Sequence, residues 1–510
     1  MELNLQRQPI TINEVVYDGF AEHPIECDAL LPDYCPDIVK ILKCSVAASI
    51  SLAQASGERI MIEGAATAHV YYASLNGRIC RAEYKIPFSR QVDLRAAVSD
   101  PVISVIPSVD YVNCRAVNQR RIDIRGALTF KVRVVDQRQE EVIGDATGGG
   151  LQLRRDMMHV TELAGQSESS FPISEELEVG YGKPPVGSIV RVDHRVNVHD
   201  YKIIAGKVVC KGDFMLHIAY QPVDLERQLE IMEYTLPLSQ IIDSEGTDEE
   251  CVCDVAMFVS ACDITPKLND DGEYMMLSLE ASIKAVVGSH RHMEIPVASD
   301  CYSTTHDCHC KHKKLGFVRL NEILRESVMH KATLDLPEDV KSVLDAWCEV
   351  DNLNWKSEAG ELSINMRLTV SMFAGMENGE SLYFEQSEDI SKSVSLGFST
   401  DGISFDPSAD VLSCAFNIVG TERIDLRCEV VVRGGIYRHL TTNSIVEITV
   451  DENKPKLKVQ NKLYIYYADE GESIWSIAKR YNTSATAVWE ENSASDDILP
   501  AKTMLLIPIV

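Results

Sequence analysis

The residues with the clearest capacity for chemistry are histidines and cysteines that cluster around residue 300. They are His290, His292, Cys301, His306, Cys308, His309, Cys310 and His312, with the pair Cys251 and Cys253 further upstream. Thiolates and imidazoles are the ligands that zinc prefers. Structural zinc sites, however, favour paired C-x-x-C spacings, whereas the C-x-C spacing here is typical of alternate residues on a strand. We therefore predict no metal and no cofactor, although metal binding by segment 301–312 stays an open alternative.

Other patterns that could support catalysis lack the context that catalysis needs. Gly148, Gly149 and Gly150 are not followed by the Lys-Ser or Lys-Thr of a phosphate loop, and no G-x-S-x-G or H-E-x-x-H motif occurs. Paired carboxylates such as Glu140–Glu141 and Asp270–Asp271 fall in expected turns, which do not provide the burial that catalytic carboxylates need. The sequence therefore predicts a protein that is not an enzyme.

The sequence around these side chains has the pattern of β-strands. Apolar residues alternate with polar ones over 122–134 and 363–373, and Gly, Asn and Asp interrupt the runs. Alternation with period two is typical of antiparallel sheets with one buried face. The sequence therefore predicts a mainly β protein.

The strand pattern occurs three times along the chain. A shift of 148 positions carries Gly64 onto Gly212, His69 onto His217 and Tyr72 onto Tyr220. A shift of 302 positions carries the segment 121–125 (RIDIR) onto 423–427 (RIDLR). Matches at one constant offset over such distances indicate an internal triplication. The repeats could pack as a rod or as a compact trimer.

Each copy also has an apolar triad behind a proline. The triads are Ile38, Ile41 and Leu42 after Pro36, Val186, Ile189 and Val190 after Pro185, and Val340, Val343 and Leu344 after Pro337. Spacing of i, i+3 and i+4 favours one face of a helix, and proline suits its first turn. We therefore expect three β-rich, sandwich-like repeats, each with a short helix.

Breaks in composition suggest where the repeats end. The flexible segment 144–150 (GDATGGG) and the segment 306–314 (HDCHCKHKK) read as linkers, and 451–458 (DENKPKLK) separates the third repeat from the tail. The predicted domains are 1–150, 151–310 and 311–455 for the repeats and 462–510 for a C-terminal module.

The C-terminal module has a different pattern, of the order strand, helix, helix, strand. A strand over 463–467 precedes a turn in which Ser473 can act as a helix N-cap, and Ile474, Ile477, Ala478 and Tyr481 follow at helical spacing. Thr483 or Ser484 can cap a second helix, and 504–507 forms a closing strand. A βααβ module of α+β class is predicted.

Composition bears on compartment and partners. The 15 cysteines lie mostly within apolar alternation, and the N-terminal segment lacks the apolar stretch of a secretory signal, so we expect reduced thiols and a cytoplasmic protein. No run of about 18 uncharged apolar residues is present, so membrane insertion is not predicted. A formal net charge of −28 argues against nucleic acid as a partner.

The run 471–481 (GESIWSIAKRY), Asn492 and the ending 506–508 (LIP) resemble a LysM domain. The resemblance implies a groove for N-acetylglucosamine-containing glycans between two loops. Its residues here are Gly471, Glu472, Ser473, Ile474, Ile498, Leu499 and Pro500. The chain has Pro-Ala-Lys-Thr at 500–503 where the family usually has glycine, which alters one groove wall. Trp475 and Trp489 could serve either the groove or the core.

The segment 31–42 (LPDYCPDIVKIL), together with the order of three repeats and a LysM-like module, resembles the SPOCS repeats of SipL-like sporulation proteins. The resemblance implies an adaptor at the forespore surface that faces the mother-cell cytoplasm. It would help to assemble the spore coat by docking a SpoIVA-like coat ATPase through its LysM module. The alternative is a protein that binds peptidoglycan or N-acetylglucosamine in the LysM groove.

Overall fold

The structure is a computed structural model that describes residues 3–98, 101–224, 228–419, 422–456, 463–494 and 496–509, except the side chains of residues 13 and 14. In these ranges the chain is almost entirely β-strand, and the two helices that occur there both lie in the C-terminal module. The mainly β class and the α+β tail are therefore confirmed.

The first repeat is a six-stranded sandwich. Its strands are β1 (Asn4–Leu30), β2 (Lys40–Ser56), β3 (Arg59–Ala73), β4 (Ile79–Asp93), β5 (Pro101–Asn118) and β6 (Arg121–Thr147). One sheet has the order β1-β6-β5 and the other the order β2-β3-β4, and neighbouring strands are antiparallel. Alternate apolar residues of β3 and β6 point between the sheets and form the core.

The second and third repeats have the same topology. The second repeat comprises β7 (Leu151–Glu178), β8 (Val186–Ile204), β9 (Lys207–Pro222), β10 (Glu230–Asp243), β11 (Val252–Lys267) and β12 (Met276–Ser303). The third comprises β13 (His306–Asp335), β14 (Val340–Glu358), β15 (Glu361–Met376), β16 (Ser381–Ser395), β17 (Ile403–Phe405), β18 (Ser408–Val419) and β19 (Arg423–Pro455). The sheets of the second repeat have the orders β11-β12-β7 and β10-β9-β8. In the third repeat, one sheet has the order β14-β15-β16, and in the other β13, β17 and β18 all pair with β19.

The prediction of a short helix after each proline is wrong. Strands β2, β8 and β14 run through these positions, each with a β-bulge, at Ile41/Lys43, Ile189/Arg191 and Val343/Asp345. Both faces of the strand are apolar here. In each repeat one residue faces the core of its own sandwich, namely Ile41, Ile189 and Val343. The next residue along the strand faces the other repeats, namely Leu42, Val190 and Leu344. Burial on both faces mimics helical spacing over so short a segment.

The three repeats close around a shared apolar cluster. It contains Leu42, Val190 and Leu344 at one set of equivalent positions, and Tyr71, Ala219 and Phe373 at another, related by the same shifts of 148 and 302. Of the two packings that the sequence left open, the structure has the compact trimer rather than the rod. This cluster is named the axial core below.

The long outer strands of each repeat extend beyond its sandwich as two-stranded ribbons, β1/β6, β7/β12 and β13/β19. The ribbons pack on one another through Ile10, Val142, Met158, Val297 and Phe317, and further out through Ile143, Ala298 and Ile445. The chain is thus held together at two levels, by the axial core and by the ribbons.

The expected linkers fall differently in the structure. Gly148, Gly149 and Gly150 have positive φ angles in the turn between β6 and β7. Segment 306–314 is not a linker, because it lies inside β13, and the boundary placed between 310 and 311 therefore interrupts that strand. Residues 451–455 continue β19, whereas 457, 458, 462 and 510 lie outside the described residues. The division into domains otherwise stays a prediction.

Two equivalent glycines allow close strand contact. A Cβ at Gly64 would collide with the Ser49 carbonyl oxygen, and one at Gly212 with the Asn197 carbonyl oxygen. Each glycine lies opposite a β-bulge, at Ile50/Leu52 and at Val198/Asp200. In the third repeat the equivalent residue is Met366, and the bulge there is displaced along the strand.

Replacing Gly64 by alanine should therefore lower the free energy of unfolding by about 1–3 kcal/mol, because the bulge must shift to admit the methyl group. Gly316→Ala is the control, since a Cβ at Gly316 meets no neighbouring atom. Urea denaturation of both variants measures the effect. Equal stability of the two variants would show that the bulge moves without cost.

Candidate binding site

The C-terminal module is a two-stranded sheet with two helices on one face. It comprises β20 (Leu463–Ala468), α1 (Ile474–Tyr481), α2 (Ala485–Asn492) and β21 (Thr503–Pro508). Ser473 and Ser484 are the N-caps of α1 and α2, and each accepts a hydrogen bond from a backbone N–H of the first turn. The Asn492 side chain bonds to the backbone of Val488 and Leu506, which fastens α2 to β21.

The two loops predicted to form the groove are in direct contact. The Gly471 N–H donates to the Leu499 carbonyl at 2.9 Å, the Leu499 N–H donates to the Glu472 carbonyl at 2.9 Å, and Ser473 forms a β-bridge with Ile498. Ile474 and Leu499 are buried in the core of the module. The predicted residues that a ligand could reach are Gly471, Ile498 and Pro500, with Glu472 and Ser473 half-buried. Their role in binding stays a prediction.

Asp497 is a residue of this site that sequence reasoning missed. Its carboxylate accepts hydrogen bonds from the Ser473 hydroxyl at 3.2 Å and the Trp475 N–H at 2.9 Å, at the start of α1. A carboxylate is favourable there because it meets unpaired N–H groups and the positive end of the helix dipole. Arg154 on β7 lies 3.4 Å from the same carboxylate. One acidic side chain thus joins both loops to the second repeat.

The other face of α1 rests on the end of the β7/β12 ribbon. The Trp475 indole N–H donates to Asp300 at 2.8 Å, Lys479 donates to the same carboxylate at 2.7 Å, and the Tyr302 hydroxyl donates to the Thr483 carbonyl at 2.7 Å. The Tyr302 and Trp475 rings meet edge to face with centroids 5.0 Å apart. Tyr302 belongs to the core of the module and is 3% exposed. This set of contacts is named the docking contact.

Electrostatics support the docking contact. Burial of Asp300 disfavours its ionised form, but the hydrogen bonds from Lys479 and Trp475 outweigh burial and lower the pKa of this carboxyl group. Lys456, at the end of the third repeat, donates to Asn482 at 2.6 Å and to the Ser303 carbonyl at 2.7 Å. Trp475 therefore serves the core and the docking contact, and Trp489 packs against the same core.

The outer face of the module's sheet is apolar and open to solvent. Leu463, Ile465 and Tyr467 alternate outward along β20, and Met504 lies opposite Tyr467 on β21. Their exposed fractions run from 48% for Leu463 to 75% for Tyr467. These four residues are named the outer apolar face. Contiguous exposed apolar surface of this kind is typical of a protein-binding site.

The cysteines and histidines singled out in the sequence divide into separate places. Cys301, Cys308 and Cys310 come together. Elsewhere, burial lowers the pKa of His290 to about 4, His292 contacts Thr161, and Cys253 contacts Ser289. Cys251 contacts Asp248, His306 contacts Thr305, and His312 contacts the Ser299 carbonyl. The structure joins Cys301 and Cys310 in a disulfide, which differs from the expectation that every thiol is reduced.

Comparison with known families gives two matches. Residues 37–117 and 185–267 match the SipL SPOCS domain, and residues 466–508 match the LysM domain. The order of these matches, SPOCS segments followed by a C-terminal LysM domain, is similar to that of a SipL-like protein with a LysM domain. The comparison with curated proteins and the comparison with solved structures gave no match.

The two SPOCS matches correspond to equivalent parts of the first two repeats. They span β2 to β5 and β8 to β11, and so leave out most of the ribbon strands. The third repeat has the same strand order from β14 to β18. The structure thus extends the repeat to a segment that the family comparison does not match.

SPOCS and LysM domains are non-catalytic binding domains, and together they indicate a sporulation-related protein that binds through its LysM domain. LysM domains suggest glycan or peptidoglycan as a ligand class. Among the described residues, neither helix has the length and apolar character needed to cross a bilayer.

Replacing Asp300 by alanine should release the LysM domain from the ribbon, because Trp475 and Lys479 both lose their acceptor. We expect faster hydrogen exchange in α1 and a change in tryptophan fluorescence, with the β-sheets unaffected. Tyr302→Phe is the milder control, since it removes one hydrogen bond and keeps the ring contact. Unchanged exchange in the Asp300→Ala protein would mean that the remaining contacts, from Tyr302, Arg154 and Lys456, hold the domain.

Proposed function

We propose that this protein is a non-enzymatic adaptor in endospore coat or envelope assembly. It acts at the forespore surface, on the side of the mother-cell cytoplasm, and docks a SpoIVA-like coat morphogenetic ATPase through its LysM domain. The observation that carries the proposal is the outer apolar face of Leu463, Ile465, Tyr467 and Met504, which is exposed on a LysM domain whose opposite side is already held by the ribbon.

The proposal needs a surface that remains available in the assembled protein. The docking contact buries Trp475, which is 5% exposed, and the axial core uses one face of each repeat. The four residues of the outer apolar face take part in neither. Apolar side chains at the centre of a surface supply most of the affinity in protein interfaces, because their burial removes them from water. A protein partner therefore suits this face better than a sugar does.

The repeats supply the rigid support for that surface. They hold the ribbon ends that carry Asp300 and Tyr302, and so fix the orientation of the LysM domain. An adaptor benefits from such rigidity, because less conformational entropy is lost when the partner binds.

The experiment is a pull-down from sporulating cells with the full chain and with a chain that lacks residues 462–510. The full chain should capture the coat ATPase and localise to the forespore, and the truncated chain should do neither while its β-sheets remain folded by circular dichroism. Normal recruitment of the truncated chain would refute the docking role of the LysM domain.

A second candidate function is binding of peptidoglycan or another N-acetylglucosamine glycan. The LysM match favours it, as does the exposure of Ile498 (61%) and Pro500 beside Gly471. A chitooligosaccharide titration tests this candidate. Saturable binding that weakens in Ile498→Ala and Ser473→Ala variants would support it, and the absence of heat or spectral change at millimolar sugar would exclude it.

A further inference from the structure

The sulfur atoms of Cys301, Cys308 and Cys310 lie within 4.8 Å of one another. Cys301 lies on β12 of the second ribbon, whereas Cys308 and Cys310 lie on β13 of the third. Because alternate residues of a strand point the same way, the C-x-C spacing directs both β13 thiols at Cys301. Cys301 is 3% exposed and the other two are half-buried.

We propose that these three cysteines, in their reduced state, bind a thiophilic metal ion, with Zn²⁺ as the expected occupant. Thiolates are the preferred ligands of Zn²⁺ and Cu⁺ among biological metals. The three thiols form the whole of this group among the described His, Cys, Asp and Glu side chains, so a fourth position remains for water or an added ligand. The C-x-C spacing on β13 supplies two ligands, and the third comes from β12, so the site does not need the paired C-x-x-C spacing of a linear zinc motif.

The charges around the cluster suit an anionic tris-thiolate complex. The ammonium groups of Lys456 and Lys479 lie beside the cluster, because they donate to the Ser303 carbonyl and to the Asp300 carboxylate, close to Cys301 on β12. Three thiolates on Zn²⁺ leave a net charge of about −1, which neighbouring ammonium groups stabilise. Asp300 lies nearby too, but both Lys479 and Trp475 donate to its carboxylate.

The site lies directly beneath the docking contact. Cys301 stands between Asp300 and Tyr302, which hold α1 of the LysM domain. A metal bound by Cys301, Cys308 and Cys310 would tie the second ribbon to the third at the place where the domain rests. Occupancy should therefore stabilise the position of the LysM domain as well as the ribbons.

Metal binding competes with the disulfide between Cys301 and Cys310. A dithiol reductant reduces that bond with two electrons, forms its own disulfide and leaves two thiols. Binding of Zn²⁺ by three thiols then forms three Zn–S bonds and releases three protons. In a reducing compartment the thiol form is the one that meets the metal.

The experiment uses the full chain, reduced with dithiothreitol under nitrogen, freed of metal and transferred to metal-free buffer. Thiol titration of the denatured protein should give 15 thiols after reduction, against 13 when the disulfide is intact. We then expect one equivalent of Co²⁺ to give sulfur-to-cobalt charge-transfer absorption, and one equivalent of Zn²⁺ to abolish it. A parallel arm with Cu⁺ and a competing chromophoric chelator distinguishes the two metals.

Cys308→Ser and Cys310→Ser should each lose the stoichiometric Co²⁺ signal, and Cys262→Ser, a half-buried thiol on β11, should keep it. Circular dichroism verifies that the variants fold. A disulfide that resists dithiothreitol, a reduced protein without a Co²⁺ or Cu⁺ signal, or a signal that survives in Cys308→Ser and Cys310→Ser would each overturn the proposal. Tight Cu⁺ binding without Zn²⁺ binding would support the thiolate site and replace the expected occupant.

Discussion

Replacing Asp345 by alanine should lower the free energy of unfolding by about 3 kcal/mol, because it removes the carboxylate from a buried charged network. Asp345 is fully buried and accepts hydrogen bonds from Arg191 at 2.7 Å and His217 at 2.9 Å, both from the second repeat. Arg191 also stacks on Trp347, with the guanidinium 4.2 Å from the ring centroid. The network thus joins two repeats beside the axial core.

Breaking a buried ion pair by removing one partner costs about 3–5 kcal/mol, and the lower figure applies here because Asp193 still faces Arg191. Urea denaturation gives the measurement. Lys43 provides the control, because it occupies the position of the first repeat that corresponds to Arg191 in the second and Asp345 in the third, at the shifts of 148 and 302. Lys43→Ala should cost at most about 1 kcal/mol, because the partner Glu385 is half exposed. Equal effects for the two variants would show that water reaches Asp345.

The same network predicts how stability changes with pH. Burial would raise the pKa of Asp345, but the charge of Arg191 and the bonds from His217 and Arg191 lower it from 3.8 to about 2. The stabilisation of the folded state by ionised Asp345 is therefore complete above about pH 4 and is lost as the pH falls toward 2. Burial lowers the pKa of His217, but the interaction with Asp345 outweighs burial and raises this pKa above 6.5. Protonated His217 therefore contributes its full stabilisation of the folded state below pH 6.5. That stabilisation is lost as the pH rises through the raised pKa. Urea midpoints measured from pH 3 to pH 9 should therefore decline at both ends, and Asp345→Ala should flatten both declines.

The second large effect is expected on partner binding. Ile465→Asp places a charge at the centre of the outer apolar face, where the native side chain is 61% exposed. If the coat ATPase covers this face, the charge loses its water on binding, and affinity should fall by about 30-fold or more. The fold should be unaffected, because the substituted side chain makes little contact with the core. Affinity for the purified ATPase, measured by surface plasmon resonance, gives the result.

Thr486→Asp introduces the same charge at an exposed position of α2 and should bind as the unmodified protein does. Met504→Asp, on the neighbouring strand, should reproduce the loss seen with Ile465→Asp. Undiminished affinity of both Ile465→Asp and Met504→Asp would place the partner elsewhere on the chain. A loss shared equally by Thr486→Asp would indicate general electrostatic repulsion rather than a docking surface.

Local patterns in the sequence predicted much of the fold. Alternation over 122–134 and 363–373 predicted strands that the structure contains as parts of β6 and β15. The caps Ser473 and Ser484 lie where the sequence indicated helix starts. The prediction of helices after Pro36, Pro185 and Pro337 was wrong because the apolar pattern indicates only which residues are buried. It does not distinguish one helical face from two buried faces of a bulged strand.

The candidate site was only partly accessible to the same reasoning. The LysM loops could be located from the run 471–481, since capping and apolar spacing are local. Asp497 was missed because an acidic residue in a loop resembles any solvated charge until the N-terminus of α1 is placed beside it. Metal binding by segment 301–312 could only be left open from the sequence, because the position of Cys301 opposite Cys308 and Cys310 depends on how two ribbons pack.

The mainly β class, the three repeats and the LysM tail can be predicted from the amino-acid sequence, because alternation and turn chemistry are local and the repeat offsets follow from comparing the sequence with itself. The closure of the repeats around Leu42, Val190 and Leu344, and the contact of the LysM domain with Asp300 and Tyr302, are visible only in the folded chain. Arg191 and Asp345 are 154 residues apart, and Asp300 and Trp475 are 175 residues apart. Contacts over such separations leave no local periodicity, because they are selected by the shape and charge of surfaces that exist only after each repeat has folded.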